Sequence, residues 1–308
     1  MTRELGAIFL CTLVAGCSGK EPGSTMLTRG ALRIGCDEVI APVMERQIAE
    51  FASQYPEAAL TLRPAEARSV VADFASDSVR VMVLARALNK DERDALVASK
   101  VEMQEFEVAR TAVAVVAHPD VPEKGLRVGQ LDTIFAGGLT RWPNRQKTMI
   151  QLAVGGINSS VTEVFRKAVL VTGGGYDPTA KPFASGVGVI DYVSRTPGAI
   201  GIVGVNWLKG NESRIKIISV ASAAMRPDST FAPHEYYSPA QAYVFLGYYP
   251  LTSPVYMYTR EVSRDVGLGF ISFVSSAAGQ KVFQNNGLVP VTMPVRLVQL
   301  TSQQVHAE

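Results

Sequence analysis

The fold is decided by residues 31–84, ALRIGCDEVIAPVMERQIAEFASQYPEAALTLRPAEARSVVADFASDSVRVMVL. The pattern predicts five segments in turn: extended 31–35, helical 42–55, extended 59–63, helical 67–76 and extended 79–84. Strands that alternate with helices of this length are typical of βαβ units, whose strands lie parallel in one sheet. We therefore predict an α/β fold of mainly parallel sheets flanked by helices.

The same alternation continues through the rest of the chain. Asn89 and Glu92 are spaced as the cap of a helix, because Glu92 can reach back to the first amides. The remaining predicted elements are strands over 101–107, 112–117, 150–154, 199–203, 215–219 and 254–258, helices over 128–135, 160–170 and 185–194, a helical region over 267–284 interrupted at Gly279, and an extended end over 289–300.

Composition excludes several classes of function. The formal net charge is +2, with lysine and arginine spread along the chain, so the sequence lacks the basic stripe that nucleic acid requires. The three histidines are scattered, and no Cys or His pair has metal-ligand spacing. The sequence has no G-x-S-x-G nucleophile elbow, no Walker phosphate loop and no H-E-x-x-H zinc motif. We predict no enzyme, no metal, no cofactor and no nucleic-acid partner.

The N-terminus resembles a bacterial lipoprotein signal. An apolar run after Arg3 ends in the lipobox Val14-Ala15-Gly16-Cys17, with Ser18 next. We predict that residues 1–16 are removed, that Cys17 is acylated and holds the protein on a membrane outside the cytosol, and that residues 17–27 form a flexible tether. Ser18 favours the outer membrane of a Gram-negative cell. An ordinary secretory peptide with a chance cysteine is the alternative.

Only one thiol then remains. Cys11 leaves with the signal and Cys17 carries lipid, so Cys36 has no partner for a disulfide. We interpret Cys36 as a small buried residue.

Four motifs in order resemble those of one known family. They are Leu131 to Gly138 followed by Trp142, Pro197-Gly198-Ala199-Ile200-Gly201, Tyr249-Pro250-Leu251-Thr252, and Gly279-Gln280-Lys281 before Gly287-Leu288-Val289-Pro290. Together they resemble the phosphate-binding proteins of bacterial phosphate ABC importers, which have the type II periplasmic binding protein fold. The resemblance covers nearly the whole mature chain.

The resemblance implies two α/β lobes joined by two crossover strands, with a cleft between them. Lobe one would hold residues 28–108 and 250–308, and lobe two residues 109–249. Open parallel sheets bind ligands at the carboxyl ends of their strands, where helix N-termini direct free amides inward, and this arrangement suits anions. We therefore expect phosphate or a related small anion in the cleft, and an ABC permease or another envelope complex as partner.

Asn158, Ser159 and Ser160 stand where the family has its phosphate loop. They follow a predicted strand and open a predicted helix, and Ser160 and Glu163 have capping-box spacing. Their hydroxyls and amide are predicted to donate to the anion. The alternative is a simple helix cap. The family's arginine just upstream is absent, since Gly155 and Gly156 occupy that stretch.

Asp37 and Glu38 end the first strand, where the family has hydroxyl residues. Their charges would repel a dianion unless one carboxylate accepts the proton of hydrogen phosphate. We predict both as ligand-binding residues. A helix-entry cap and a catalytic carboxylate pair are the alternatives.

Arg86 follows the third strand, at a position where the family also has an arginine. There Ala85 lacks the family's hydroxyl, and Arg80 replaces its aspartate. Arg86 is predicted to donate to the anion or to pair with Asp37 or Glu38, and a purely structural salt bridge is equally open. The leading hypothesis is thus a lipid-anchored oxyanion-binding protein. The rivals are an interaction module whose cleft no longer binds phosphate, and a hydrolase that uses Asp37 or Glu38.

Overall fold

The computed structural model of the protein describes residues 26–143, 145–171, 175–221, 235–260 and 265–291. The lipobox with Cys17, the first part of the predicted tether and most of the predicted extended end over 289–300 lie outside these ranges.

Helices and strands alternate along these ranges, as the sequence predicts. The helices are α1 Ala41–Gln54, α2 Ala67–Ala75, α3 Lys90–Ala98, α4 Val128–Phe135, α5 Ser160–Ala168, α6 Gly186–Arg195, α7 Gln241–Phe245, α8 Val266–Ser275 and α9 Ala277–Asn285. The strands are β1 Gly30–Asp37, β2 Ala58–Ala65, β3 Val81–Leu84, β4 Gln104–Ala117, β5 Gly125–Arg127, β6 Arg141–Trp142, β7 Arg145–Met149, β8 Gln151–Gly155, β9 Lys181–Phe183, β10 Ala199–Gly204, β11 Lys216–Ala221, β12 Thr252–Thr259 and β13 Val289–Pro290.

The first βαβαβ unit forms as predicted. Strand β1 lies between β2 and β3 and pairs with both in parallel. Helix α1 turns Val43, Met44 and Phe51 into the core, because these apolar residues recur at helical spacing. Pro42 lies in its first turn, where its missing N–H costs no hydrogen bond. The carboxyl ends of β1 and β3 therefore meet at one edge of the sheet.

Strand β4 corrects a prediction. Two strands, over 101–107 and 112–117, were expected, but Gln104–Ala117 form one continuous strand. The polar stretch around Arg110 and Thr111 suggested a break, yet both residues pair in register with β12. Strand β4 is antiparallel to β12 up to Ala112 and then antiparallel to β10 from Val113. It thus crosses from one half of the sheet to the other.

The predicted fold class is confirmed. Parallel pairs join β1 with β2 and β3, β8 with β9 and β10, and β5 with β11, while the antiparallel pairs involve β4, β12 or the separate β6–β7 hairpin. We keep the names lobe one and lobe two for the residue ranges predicted above, and the exact lobe division stays a prediction. The partner change of β4 lies slightly beyond the expected boundary at residue 108.

The C-terminal helical region is broken at Ser276, not at the predicted Gly279. Gly279 lies within α9 and allows close packing of the two helices. A Cβ at this position would lie 2.5 Å from the carbonyl oxygen of Phe273, so only glycine lets α9 pack this closely on α8. Within the described ranges, no single helix is long and apolar enough to cross a membrane. Helices α8 and α9 reach that length only together, and they are bent by 63°.

Candidate functional site

Asp37 lies at the carboxyl end of β1 and is completely buried. Its carboxylate accepts hydrogen bonds from the backbone N–H groups of Val39, at 3.2 Å, and Ala85, at 3.1 Å. It also accepts one from the hydroxyl of Ser160, which belongs to lobe two. Asp37 is therefore fixed by the backbone of lobe one and joins the two lobes.

Glu38 makes a parallel contact. The hydroxyl of Ser159 donates to Glu38 Oε1 at 2.5 Å, and Glu38 Oε2 is buried without a hydrogen-bond partner among the described residues. Burial and the charge of the neighbouring Asp37 raise the pKa of Glu38 to about 9, although the hydrogen bond from Ser159 lowers it. Glu38 consequently carries a proton at neutral pH.

Helix α5 supplies both hydroxyls. Ser159 is its N-cap, and neither it nor Ser160 caps the helix with its side chain. The predicted capping box of Ser160 with Glu163 is wrong, because the helix begins one residue earlier than that motif requires and Glu163 bonds elsewhere. The two hydroxyls point across the cleft, and the first amides of α5 have no acceptor within the helix.

Two neighbours complete this helix end. Thr162 is buried, and its hydroxyl has no hydrogen-bond partner among the described residues. Sequence reasoning missed it, although it lies in the same first turn as Ser160. A Cβ on Gly155 would lie 3.0 Å from this hydroxyl and 3.1 Å from Ser159 Oγ, so the site leaves little room for a larger side chain there.

Asn158 is only half-buried, in the turn between β8 and α5. Its side chain forms no hydrogen bond with any part of the chain that the structure describes. Ile157 beside it is 84% exposed, so this turn lies at the protein surface. The structure places Asn158 beside the two serines without bringing its amide into their contacts.

Arg86 is buried and pairs with carboxylates other than the predicted ones. Its two terminal nitrogens donate to the carboxylate of Glu92 at 2.8 and 2.7 Å, and its Nε lies 2.6 Å from Glu163 Oε2. The predicted pairing with Asp37 or Glu38 is wrong, because these carboxylates bind the α5 hydroxyls. Burial lowers the pKa of Arg86, but the bonds and charge of Glu92 and the charge of Glu163 outweigh it and raise the pKa.

Glu92 and Glu163 are residues whose role here the sequence did not reveal. The expected cap of α3 is present, since the backbone N–H of Asn89 donates to Glu92 Oε2 at 2.8 Å, and the same carboxylate holds Arg86. Glu163 also accepts a bond of 2.5 Å from the side chain of Asn89, and Lys167 donates to Asn89. Helix α5 is thus tied to lobe one both at its N-terminus and at Glu163.

Cys36 is a free, completely buried thiol, as predicted. Burial raises the pKa of Cys36, and the charges of Asp37 and Glu38 raise it further. The thiol is therefore protonated and unreactive.

The site brings four of the predicted residues into direct contact: Asp37, Glu38, Ser159 and Ser160. Asp37 and Glu38 bond to different hydroxyls, so the two carboxylates do not face one reacting bond as an acid–base pair would. Among the described residues, no group of three or more His, Cys, Asp or Glu side chains is arranged to hold a metal ion. What the site offers is hydroxyls, helix-end amides and one protonated carboxyl group.

Comparison with known proteins identifies the family. A profile described as a PBP superfamily domain matches residues 23–278. The chain belongs to the PBP superfamily. Within it, the chain is 21% identical to the phosphate-binding protein PstS of Staphylococcus saprophyticus, over 87% of this chain and 82% of that protein. It is 25% identical to PstS of Pseudomonas aeruginosa, over 63% of this chain and 66% of that protein.

Solved structures of the PBP superfamily share the fold. A protein from Clostridium perfringens, described as a phosphate ABC transporter substrate-binding protein with bound phosphate, superposes with a TM-score of 0.71 at 18% identity, over 85% of this chain and all of the other. A phosphate transport receptor from Vibrio cholerae gives a TM-score of 0.65 at 18% identity with the same coverage. The resemblance to phosphate-binding proteins is confirmed. These relatives are binding proteins, in agreement with the prediction of a protein that is not an enzyme.

Proposed function

We propose that this PBP superfamily protein captures phosphate or a related small oxyanion between lobe one and lobe two, for transport or for sensing. Acylated Cys17 would hold it in the periplasm, at the outer membrane, where an ABC permease or another envelope complex would receive the solute. The names of its relatives support phosphate as the first ligand to test.

One observation carries the proposal: the hydroxyls of Ser159 and Ser160 leave the first turn of α5 and point across the cleft instead of capping the helix. A helix N-terminus with outward hydroxyls is a set of donors that suits a tetrahedral oxyanion. The buried hydroxyl of Thr162 is a third potential donor in the same turn.

The carboxylates of the cleft oppose anion binding less than the sequence suggests. Because Glu38 is protonated at neutral pH, it brings no negative charge and can donate a hydrogen bond through the oxygen that has no partner. The carboxylate of Asp37 can accept a hydrogen bond from the hydroxyl group of a protonated oxyanion. The anion would take the place of the two carboxyl groups on the serine hydroxyls, so the lobes must first separate.

Arg86 fits this function indirectly. Its two terminal nitrogens already donate to Glu92 and to the carbonyl of Ala87, and its Nε lies at ion-pair distance from Glu163. The direct contact with the anion that the sequence suggested would require Arg86 to give up one of them. We therefore propose that Arg86 chiefly holds Glu163, and through it the start of α5, at the cleft.

Titration calorimetry tests the proposal on the mature chain carrying Cys17→Ser, which cannot be acylated. Phosphate and sulfate should release heat, and the variant with both Ser159→Ala and Ser160→Ala should lose about 1 to 3 kcal/mol of binding free energy. Ser53→Ala, an exposed serine of α1 whose hydroxyl bonds only its own helix, is the matched control. An unchanged dissociation constant in the double variant would contradict the proposed site.

A second function is favoured by a separate observation. The serine hydroxyls and Arg86 already have acceptors inside the protein, so the cleft can stay closed without any anion. An interaction module that docks another envelope protein through its closed lobes would use this property. No heat and no change in Tm with either phosphate or sulfate would favour this alternative.

A further inference from the structure

A cavity of 530 Å³ lies between lobe one and lobe two, next to the contact of Ser159 with Glu38. Its walls come from the start of α1, the end of β2, the segment before α6 and Trp207. Cavities of this size hold small organic molecules, and a bare tetrahedral oxyanion fills only a small part of one.

The lining of this cavity combines small apolar residues with carboxyl groups and one aromatic ring. It includes Glu38, Glu45, Glu66 and Trp207, and the described lining holds no lysine or arginine. Neither Glu45 nor Glu66 has a hydrogen bond or ion pair from its side chain to any described residue. Glu66 reaches lobe two, since a Cβ on Gly156 would lie 1.7 Å from its Oε1. The ring of Trp207 is fixed against the backbone of Gly186.

The cavity continues into the proposed oxyanion site. Glu38, Ser185 and Trp207 also line a narrow inner pocket that reaches Ser159 and Gly155. That inner pocket measures 10 Å³, about the space of one water molecule, so an oxyanion fits at Ser159 only if the lining moves apart. A ligand whose oxyanion is bound at Ser159 would extend any further atoms past Glu38 into the large cavity.

From this lining we infer that the ligand is a small zwitterion: a phosphate monoester or phosphonate with a short arm that ends in an ammonium group. This inference rests on the proposed oxyanion site and specifies its substrate class. An ammonium group is attracted by carboxylates and by the face of an aromatic ring. The positive charge of the ammonium group would also screen the bound anion from Glu45 and Glu66. Without it, these two unpaired carboxylates would repel the anion.

The test compares two ligands of equal size and shape, O-phosphoethanolamine and propyl phosphate, which differ in an ammonium against a methyl group. Calorimetry on the mature Cys17→Ser chain should show about tenfold tighter binding of O-phosphoethanolamine, because a partly exposed cation contact is modest. Phosphate itself should bind more weakly than O-phosphoethanolamine. Tryptophan emission gives a second readout, because Trp207 lines the cavity while Trp142 is buried elsewhere.

Charge-removing variants locate the effect. Glu45→Gln combined with Glu66→Gln should bring the ratio of the two affinities close to one while phosphate affinity is kept or improved. Glu50→Gln, an exposed residue of α1 outside the cavity lining, should leave the ratio at its original value.

The outcomes separate the two proposals. If none of the anions binds, the proposed function itself fails. If phosphate and propyl phosphate bind at least as tightly as O-phosphoethanolamine, oxyanion capture stands and the zwitterion inference is overturned. A preference for the amine that survives in the Glu45→Gln, Glu66→Gln variant overturns the assignment to this cavity.

Discussion

Two contacts join α5 to lobe one: one is an ion pair, and the other consists of hydrogen bonds from hydroxyl groups. At Glu163, the fourth residue of α5, the carboxylate and Arg86 form an ion pair in which a buried guanidinium is matched by two carboxylates. At the N-cap and the first residue of α5, the hydroxyls of Ser159 and Ser160 donate to the protonated Glu38 and to Asp37. The ionic contact cannot open without exposing unpaired buried charges, whereas a hydroxyl can exchange one acceptor for another at little cost. The difference indicates that a ligand would enter at the two serines and that the ion pair of Glu163 holds the lobes in register.

The largest effect is expected at the ionic contact. Arg86→Met leaves Glu92 and Glu163 buried without their cation and should lower the free energy of unfolding by about 3 to 5 kcal/mol. Urea denaturation followed by circular dichroism measures this loss. Arg93→Met, which removes the exposed partner of Glu105, is the control and should cost no more than about 1 kcal/mol. Equal losses in both variants would contradict the special contribution of the buried ion pair.

An intermediate effect is expected at the hydroxyl contact, and it depends on pH. The pKa of Glu38 is raised from 4.5 to about 9 in the folded protein, so the folded state binds more protons than the unfolded chain between these values. The corresponding stability is complete below pH 4.5 and is lost as the pH rises towards 9. Glu38→Gln imitates the protonated form and removes this loss.

Thermal melts of both proteins between pH 5 and 9.5 test this expectation. As the pH rises, the Tm of Glu38→Gln should increase relative to that of the unmodified protein. The difference between the two Tm values should grow by at least about 2 to 4 °C and level off above pH 9. Groups elsewhere titrate equally in both proteins and cancel in the comparison. Parallel curves would mean that Glu38 is charged at neutral pH.

The smallest effect is expected at the rim of the ionic contact. Arg68 lies 3.6 Å from Glu163 and 2.9 Å from Asp91, but its side chain is 41% exposed. Solvent screens such pairs, so Arg68→Met should cost less than about 1 kcal/mol in urea denaturation. A loss as large as that of Arg86→Met would show that the ion pair extends to the surface.

Much of the fold could be predicted, because the apolar period of each segment is a local property. The helix over Val128–Phe135 has the predicted bounds, and α2 and β10 differ from theirs by one residue at one end. The continuity of β4 could not be predicted, because Arg110 and Thr111 look like a break until β12 is present to pair with them. The position of the break between α8 and α9 likewise depends on how closely the two helices pack.

The site was predictable in its location and less so in its bonding. The carboxyl ends of β1 and β3 and the start of α5 were expected at one cleft, and the contacts of Asp37 and Glu38 with Ser160 and Ser159 lie there. The pairing of Arg86 with Glu163 could not be read from the sequence, because Glu163 comes from a helix that is distant along the chain. The spacing of Glu163 from Ser160 suggested a capping box, which is a local motif. The ion pair of Glu163 with Arg86 exists only in the tertiary structure and could not be predicted from that spacing.

Strand β4 has a mechanical consequence. Because one unbroken run of fourteen residues belongs to both halves of the sheet, relative rotation of the halves must bend and twist this strand and strain its ladder of hydrogen bonds. The register shift in β12 between Val255 and Tyr256, directly beside it, is where that deformation is easiest. Any opening of the protein should therefore be elastic and of small amplitude, with a restoring force that returns the halves to their resting angle.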